Sequence, residues 1–311
     1  MRARYPDVED WVVRDGVRIG YEVYGTGEPT LLLPTSNPLV HARQWKAQVP
    51  YLARYFRVVV VDHRGNGRSD RPRGPAAYTV EQDVADLVAV LDATGTPSAV
   101  VVGLSGGARR GLQLAAAHPE RVAGLIAIAP AVLLDFSAFD DVRDTYAGPE
   151  MINRHAMVRD WPGFVDFFFS GVNSDPHSTK PFEDAVGWAQ GTTPEVVVDC
   201  WDAWRTQTPE QLKAVCAAVR CPVLVVHGSA DLLIPHATGA AVAEWTGGEL
   251  VTLPGAGHVP PVREPVRVNL LIREFADSVL GTRRRVPDWT PARNRPRRAL
   301  FLSSPIGLGH A

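Results

Sequence analysis

Apolar runs and helix-type stretches alternate along most of this chain. Residues 11–24 have the alternation of a β-hairpin with its turn at Asp15–Gly16. Further strands are predicted at 30–34, 56–62, 98–104, 122–129, 222–228 and 249–253, with helices at 41–55, 79–91, 106–117, 236–246 and 264–280. The run at 56–62 is apolar without alternation, which is typical of a parallel strand covered on both faces. The pattern therefore predicts an α/β fold whose eight-stranded, mainly parallel sheet carries helices on both faces.

The helix predicted from residue 79 has a local start signal. Thr79 is a suitable N-cap and Gln82 occupies the third helical position, which together make a capping box. We expect this helix to continue to about Leu91.

Two regions depart from the alternating pattern. Residues 131–220 contain no clear strand and hold four of the eight tryptophans and seven of the ten phenylalanines. A segment this long is far beyond an ordinary loop, so we expect a helical subdomain. Residues 282–298 are rich in Arg and Pro, as a linker would be, and residues 299–311 begin with a new apolar run.

Composition narrows the class of protein. The 311 residues are 45% apolar and 21% charged, which excludes a mostly disordered chain. No apolar stretch is long enough to span a membrane, and the N-terminus has no signal-peptide core. The three cysteines, with no CxxC spacing, favour reduced thiols in the cytoplasm over a disulfide framework or a zinc site.

The net charge of −2 gives no reason to expect a nucleic-acid or membrane partner. Residues 282–298 alone carry seven arginines and one aspartate, a local charge of +6 that we interpret as a solvated linker.

The candidate nucleophile is Ser105. It lies in the G-x-S-x-G motif Gly103–Gly107, directly after a predicted strand and directly before a predicted helix. This is the setting of a nucleophile elbow, in which a strained turn exposes the serine and glycines allow the backbone to pack closely. The helix N-terminus behind the serine also offers free N–H groups.

A serine hydroxyl needs a base, and the base needs an orienting acid. His258 follows the last predicted strand in a glycine-rich loop, and Asp231 follows the preceding strand. The carboxyl ends of parallel strands are where open α/β sheets place their sites, so we predict His258 as base and Asp231 as acid. Asp135 remains an alternative acid, whereas packing or turn roles are favoured for His227 and a cavity or solvent position for His236.

These motifs together resemble the α/β-hydrolase fold superfamily over about residues 8–281. The segment Asp62–Asp70 resembles the family's D-x-R-G-x-G-x-S loop, and His118–Val122 resembles the turn after the nucleophile helix. The chain order Ser…Asp…His is also that of the family. The resemblance implies a serine-nucleophile hydrolase with a helical cap inserted at about 131–220.

The resemblance also implies an oxyanion hole made of two backbone N–H groups. By position these belong to Ser36 and Gly106. Many family members have His-Gly after the third strand, but this chain has Pro34-Thr35-Ser36-Asn37-Pro38, so the loop is built without glycine. Losing one oxyanion donor typically costs about 2.7–4 kcal/mol of transition-state stabilisation.

The function predicted from these residues is hydrolysis of a carboxylic ester, lactone or thioester of a small, largely apolar substrate. A serine at the elbow argues against the epoxide-hydrolase and haloalkane-dehalogenase branches, which attack with a carboxylate. C–C bond hydrolysis of a β-diketone-like compound and a low-turnover, ligand-sensing module are the alternatives. We expect a small-molecule substrate and neither a cofactor nor a metal. Residues 1–281 are predicted to form the hydrolase domain.

Three further interpretations concern residues outside the predicted triad and oxyanion hole. The aromatic run Trp161–Phe169 is interpreted either as the core of the cap or as the roof of the pocket, and both can hold for different rings. Arg109 and Arg110 are interpreted as helix-surface or packing residues rather than substrate clamps. Residues 298–310 resemble the opening strand and glycine loop of nucleotide-sugar glycosyltransferases, which would indicate a fused second domain.

Overall fold

The computed structural model describes residues 4–176, 179–279 and 281. Its described residues form one eight-stranded sheet. The strands are β1 (Val8–Arg14), β2 (Val17–Tyr24), β3 (Thr30–Pro34), β4 (Arg57–Val61), β5 (Ala99–Leu104), β6 (Val122–Ile128), β7 (Val223–Gly228) and β8 (Glu249–Leu253). All lie where the apolar runs predicted them.

The sheet has the order β1-β2-β4-β3-β5-β6-β7-β8. β1 and β2 pair antiparallel, β2 also pairs antiparallel with β4, and the remaining neighbours are parallel. Successive residues of β4 point into two different hydrophobic clusters, with Val58 and Val60 on one face and Val59 and Val61 on the other. Helices thus cover both faces, and the predicted fold class is confirmed.

The α-helices are α1 (Val49–Leu52), α2 (Val80–Ala93), α3 (Gly106–Ala117), α4 (Arg154–Arg159), α5 (Trp161–Val172), α6 (Thr179–Ala189), α7 (Pro194–Trp204), α8 (Pro209–Ala218), α9 (His236–Thr246), α10 (Pro260–Arg263) and α11 (Pro265–Val279). α3 and α9 have the predicted bounds. The single helix predicted at 41–55 is wrong. The segment forms a 3₁₀ turn at Ala42–Trp45 followed by the one-turn α1, which starts afresh with Pro50 in its first turn.

Local signals explain two of the element boundaries. Asp15 and Gly16 both have positive φ, 52° and 79°, as a two-residue hairpin turn requires. Thr79 caps α2 by accepting a hydrogen bond from the backbone N–H of Gln82. The Gln82 side chain instead accepts from Arg14, so the Thr79 half of the predicted capping box forms as expected and Gln82 ties the helix to β1.

The cap segment, residues 131–220, lies between β6 and β7. Its described residues contain helices α4–α8 and no strand. Its buried aromatic side chains belong to the same hydrophobic cluster as the inner residues of β3–β6, so the segment packs directly on the sheet. The domain boundaries stay a prediction, and the predicted linker and second-domain start at 282–311 lie outside the described residues.

Within the described part of the chain, no helix is both long and apolar enough to cross a membrane.

Candidate active site

Ser105 occupies a strained turn between β5 and α3. Its φ of 55° and ψ of −118° lie where non-glycine residues are rare. The turn is held by the Ser105 N–H, which donates to Ile128 O at 2.8 Å, and by the Ser105 carbonyl, which accepts from Ala108 N at 3.0 Å. A Cβ at Gly103 would collide with the backbone of Gly107, which explains the glycine before the serine. Such strain at a serine is typical of a functional site.

The side chain of Asp231 is fully buried and accepts four hydrogen bonds. Its Oδ1 accepts from the backbone N–H groups of Leu233 and Ile234, each at 2.9 Å. Its Oδ2 lies 2.8 Å from His258 Nδ1 and 3.1 Å from His227 Nε2. Because an ionised carboxylate only accepts, His258 donates from Nδ1 and keeps Nε2 free to take a proton.

The environment keeps Asp231 ionised. Burial alone would raise the pKa of Asp231, but the hydrogen bonds from His227 and His258 outweigh it and hold that pKa well below its ordinary value. The carboxylate therefore presents a negative charge to Nδ1 of the His258 ring.

His227 contributes more than packing. Its Nε2 also lies 3.1 Å from Ile234 O, so both neighbours of that nitrogen are acceptors and Nε2 carries the hydrogen. The sequence interpretation of His227 as a turn-stabilising residue is consistent with this contact. Its direct contact with Asp231 was missed, although the spacing of four residues between the two is a usable signal.

Ser105 and His258 line one small cavity of about 50 Å³ under the cap segment. A volume of this size holds only a few water molecules. Most of its lining is apolar, including Leu104, Val172 and Val259. The structure thus brings the predicted nucleophile, base and acid to one edge of the sheet.

The alternatives lie elsewhere. Asp135 is exposed and its Oδ1 accepts a hydrogen bond from the backbone N–H of Ser137. His236 contacts the Thr252 hydroxyl at 2.9 Å on the exposed side. Neither residue is among those that line the cavity.

The predicted oxyanion donors have different surroundings. Gly106 opens α3, so its N–H has no partner within the helix. A Cβ at this position would collide with Ser36 O and with the Trp204 ring, which requires glycine. The Ser36 N–H points at Gln44 Oε1 at 3.3 Å, and the Ser36 hydroxyl donates to the same oxygen at 2.8 Å. Both donors of Ser36 are therefore directed at Gln44.

Arg110 binds the backbone of the loop Pro34–Pro38, which carries the predicted oxyanion donor Ser36. Its Nη1 donates to Thr35 O at 3.0 Å and to Ser36 O at 2.8 Å, and its Nε donates to Asp83 Oδ2 at 3.0 Å. Asp83 also contacts His63 Nε2 at 2.8 Å, and the His63 backbone N–H donates to the Thr35 hydroxyl. The loop lacks glycine but is fixed by this buried network.

The surroundings of Asp83 and His63 shift the pKa of both groups downward. Burial would raise the pKa of Asp83, but Arg110 and His63 outweigh it and keep that pKa below its ordinary value. Burial and the nearby Arg110 lower the pKa of His63. Arg109 and Arg110 are both buried, so of the two sequence interpretations packing is correct and helix surface is wrong.

The aromatic side chains of the cap segment divide between the two interpretations. Phe168 and Phe169 line the cavity together with Trp188. Trp161 and Phe164 stack on each other at 5.5 Å, and Phe164 packs edge-on against Trp201. Some rings therefore cover the cavity while others hold the cap segment together.

The family model for the alpha/beta hydrolase fold matches residues 29–265. The chain belongs to this family. The chain is similar along most of its length to the 2-hydroxymuconate semialdehyde hydrolase of Pseudomonas sp. strain CF600. That protein is 27% identical over 298 residues, covering 87% of this chain and 94% of the relative.

Two further comparisons connect the chain to other α/β-hydrolases. Epoxide hydrolase B of Mycobacterium tuberculosis is 43% identical over 161 residues, which cover 48% of this chain and 42% of that protein. The thermophilic esterase of Thermogutta terrifontis has a similar structure, with a TM-score of 0.70 and 28% identity, covering 88% of this chain and 98% of the other. The chain therefore belongs to a family of hydrolytic enzymes.

Proposed function

We propose that this protein is a serine hydrolase that cleaves a carboxylic ester, lactone or thioester through Ser105, His258 and Asp231. One observation carries the proposal. The strained Ser105 and the Asp231-bound His258 share a small, mostly apolar cavity, and the base is already oriented by its acid.

The chemistry follows from these positions. Ser105 Oγ attacks the carbonyl carbon while His258 Nε2 takes the hydroxyl proton, and the developing imidazolium is stabilised by Asp231. The carbonyl oxygen gains negative charge and is held by the N–H groups of Gly106 and Ser36. His258 then gives the proton to the leaving alcohol or thiol. In the second half, His258 activates water, which attacks the acyl-enzyme and releases the carboxylic acid and Ser105.

Gln44 adds a condition to this mechanism. Since Gln44 Oε1 accepts from the Ser36 N–H in the free protein, the oxyanion must displace or share that contact. The N–O distance of 3.3 Å is long for such a bond, so the exchange costs little.

The size and polarity of the cavity set the substrate class. Its volume of about 50 Å³ and its apolar lining favour a short, apolar acyl group. We infer a preference for short acyl chains over long ones.

A panel of p-nitrophenyl esters of increasing acyl length tests the proposal. We expect turnover that is highest for short chains and that falls by at least about 10⁴-fold in Ser105→Ala, because the nucleophile is lost. Ser278→Ala, an exposed serine on α11, is the matched control and retains full activity. If wild type and Ser105→Ala are equally inactive and a fluorophosphonate probe fails to label Ser105, the proposal is wrong and the ligand-sensing alternative gains.

C–C bond hydrolysis is the second candidate. It is favoured by the full-length similarity to 2-hydroxymuconate semialdehyde hydrolase. The same panel extended by a β-diketone-like compound separates the two. Faster Ser105-dependent loss of the diketone than of any ester assigns C–C hydrolysis, and the reverse assigns ester hydrolysis.

A further inference from the structure

Arg109 is a buried cation without a carboxylate partner. It lies on α3 one turn after Ser105, is 2% exposed, and donates from Nη2 to Trp204 O at 2.8 Å and to Gln207 Oε1 at 2.7 Å. Its Nε has no hydrogen-bond partner, and no ion pair joins it to an acid among the described residues. Burial lowers the pKa of Arg109 to about 10, although nearby Asp83 opposes this. A buried charge left uncompensated is costly.

The next residue on the helix shows the contrast. Arg110 is equally buried, but it forms an ion pair with Asp83 at 3.0 Å. Both guanidinium groups lie over the Trp204 ring, at 5.1 Å for Arg109 and 5.3 Å for Arg110. The unpaired charge is therefore a property of Arg109 and not of this region of the helix.

Arg109 lines a cavity of about 410 Å³ that we call the Arg109 pocket. The pocket lies between α3, the residues after β6 and the start of α8. Buried side chains form its floor and exposed ones its rim. The lining includes Val132, Leu134, Phe136, Trp204, Thr208 and Leu212. It shares no lining residue with the cavity at Ser105.

The charges of the lining are unequal. Arg205 also lies on the rim, but it already pairs with Asp140 and with Asp202. No acidic residue occurs among the described residues that line the pocket. Arg109 is therefore the charged group of the lining whose partner is missing.

We propose that the Arg109 pocket binds the carboxylate of a small organic acid whose apolar body packs on the pocket walls. A planar guanidinium matches a carboxylate geometrically, and the pair would supply the counter-charge that Arg109 lacks. The lining also includes aliphatic and aromatic side chains that suit a short hydrocarbon chain, and the volume lies in the range of small-molecule sites. This site goes beyond the proposed hydrolysis and is independent of it.

The test uses hexanoate as probe and 5-fluorotryptophan-labelled protein observed by ¹⁹F NMR. Trp204 lines the Arg109 pocket but its ring also touches Gly106 beside Ser105, whereas Trp188 lines the cavity at Ser105. With both resonances assigned through Trp→Phe variants, a Trp204 shift that Trp188 does not follow at the same hexanoate concentration reports the Arg109 pocket. We expect hexanoate to shift the Trp204 resonance saturably. Hexan-1-ol, which has the same chain without the charge, is expected to bind at least about tenfold more weakly.

Two arginine variants form a matched pair. Arg109→Gln removes the guanidinium proposed to bind the carboxylate. We expect hexanoate binding, read at Trp204, to weaken by about tenfold or more, since a charge-assisted bond is lost. Arg205→Gln removes an arginine of the same rim that is already paired, and binding is expected to stay unchanged. Equal losses in both variants, or equal affinity for hexanoate and hexan-1-ol, contradict the proposal.

A third variant covers the case in which Arg109→Gln does not fold. Ser137→Phe places a ring at the exposed rim and leaves the buried residues untouched. We expect this variant to lose the Trp204 response to hexanoate. An undiminished response there, or no Trp204 response in the wild type at millimolar hexanoate, overturns the proposal.

Discussion

The two sides of the candidate site are organised in different ways. On the acid–base side, Asp231 receives four hydrogen bonds from residues within its own loop or the adjacent β7 and β8 loops. On the oxyanion side, the Ser36 loop is positioned by two buried side chains, with Gln44 at its N–H and Arg110 at its carbonyl. On the first side four hydrogen bonds converge on one carboxylate, whereas the second side depends on several buried side chains that also bind one another.

This difference predicts unequal sensitivity to mutation. The acid–base side depends on the single charge of Asp231. The oxyanion side depends on several hydrogen bonds, so removing one of them displaces the loop only in part. Four experiments separate these expectations.

The largest effect is expected from Asp231→Asn. An amide cannot stabilise the imidazolium and would favour the wrong His258 tautomer, so kcat should fall by about 10⁴-fold. Steady-state kinetics on the best p-nitrophenyl ester measures this. Asp135→Asn is the control at the rejected acid, and a comparable loss there would reverse the assignment of the acid.

Arg110→Met is expected to lower kcat by about 10²-fold to 10³-fold with little change in KM. The variant releases Ser36 O and Thr35 O, so the loop no longer holds its N–H in place, which corresponds to losing one oxyanion donor.

It also leaves Asp83 without its arginine, so the free energy of unfolding should fall as well. Arg110→Met combined with Asp83→Asn is the control for that charge. If the double variant regains stability and also full kcat, Arg110 has no positioning role.

His227→Gln should have a smaller effect, about tenfold on kcat. Asp231 keeps its bonds from His258, Leu233 and Ile234, so the acid is loosened but remains in place. The same kinetic assay serves, with the exposed His155→Gln on α4 as control. A loss as large as that of Asp231→Asn would mean that His227 is the residue that orients the acid.

The last prediction concerns stability rather than rate, through the titration of Asp62. Burial raises the pKa of Asp62 to about 6, although the backbone N–H groups of Arg68 and Ala42 oppose this shift. An acid whose pKa is raised by folding binds more protons in the folded state, so the unfolding free energy falls as pH rises through about 6. The contribution is on the order of 2–3 kcal/mol.

Denaturant unfolding of wild type and Asp62→Ala between pH 4 and pH 7 checks this sign, because the change lies between the ordinary pKa of an aspartate and the raised pKa of Asp62. The difference between the two proteins should change in favour of Asp62→Ala as pH rises. Because the pKa of Asp231 is lowered, Asp231 contributes no such change in this range. A pH-independent difference would show that Asp62 stays ionised in the folded protein.

The same division explains how far sequence alone leads. Ser105, Asp231 and His258 each follow a recognisable strand, and parallel strands bring their carboxyl ends to one edge, so their meeting could be predicted. Gln44 and Arg110 carry no such signal. Gln44 lies in the segment whose predicted continuous helix is broken before Pro50, and Arg110 looks like any arginine on a helix. Their roles arise when α3, the 3₁₀ turn and the β3 loop pack together.

The positions of the strands could also be predicted, because the signal for each of them is local in the sequence. A buried parallel strand is a short apolar run bounded by turn residues, and each such run here has one place in the sheet. The cap segment has helical and aromatic patterns without a comparable constraint, so the sequence left open which rings would line the cavity.

The apolar lining of the Ser105 cavity also determines the calorimetric signature of substrate binding. Phe168, Phe169 and Val172 line this cavity, so an arriving acyl chain covers hydrocarbon surface. Burial of such surface gives binding a negative heat-capacity change. The binding enthalpy should therefore become more favourable as temperature rises, and longer acyl chains that fit should steepen that dependence.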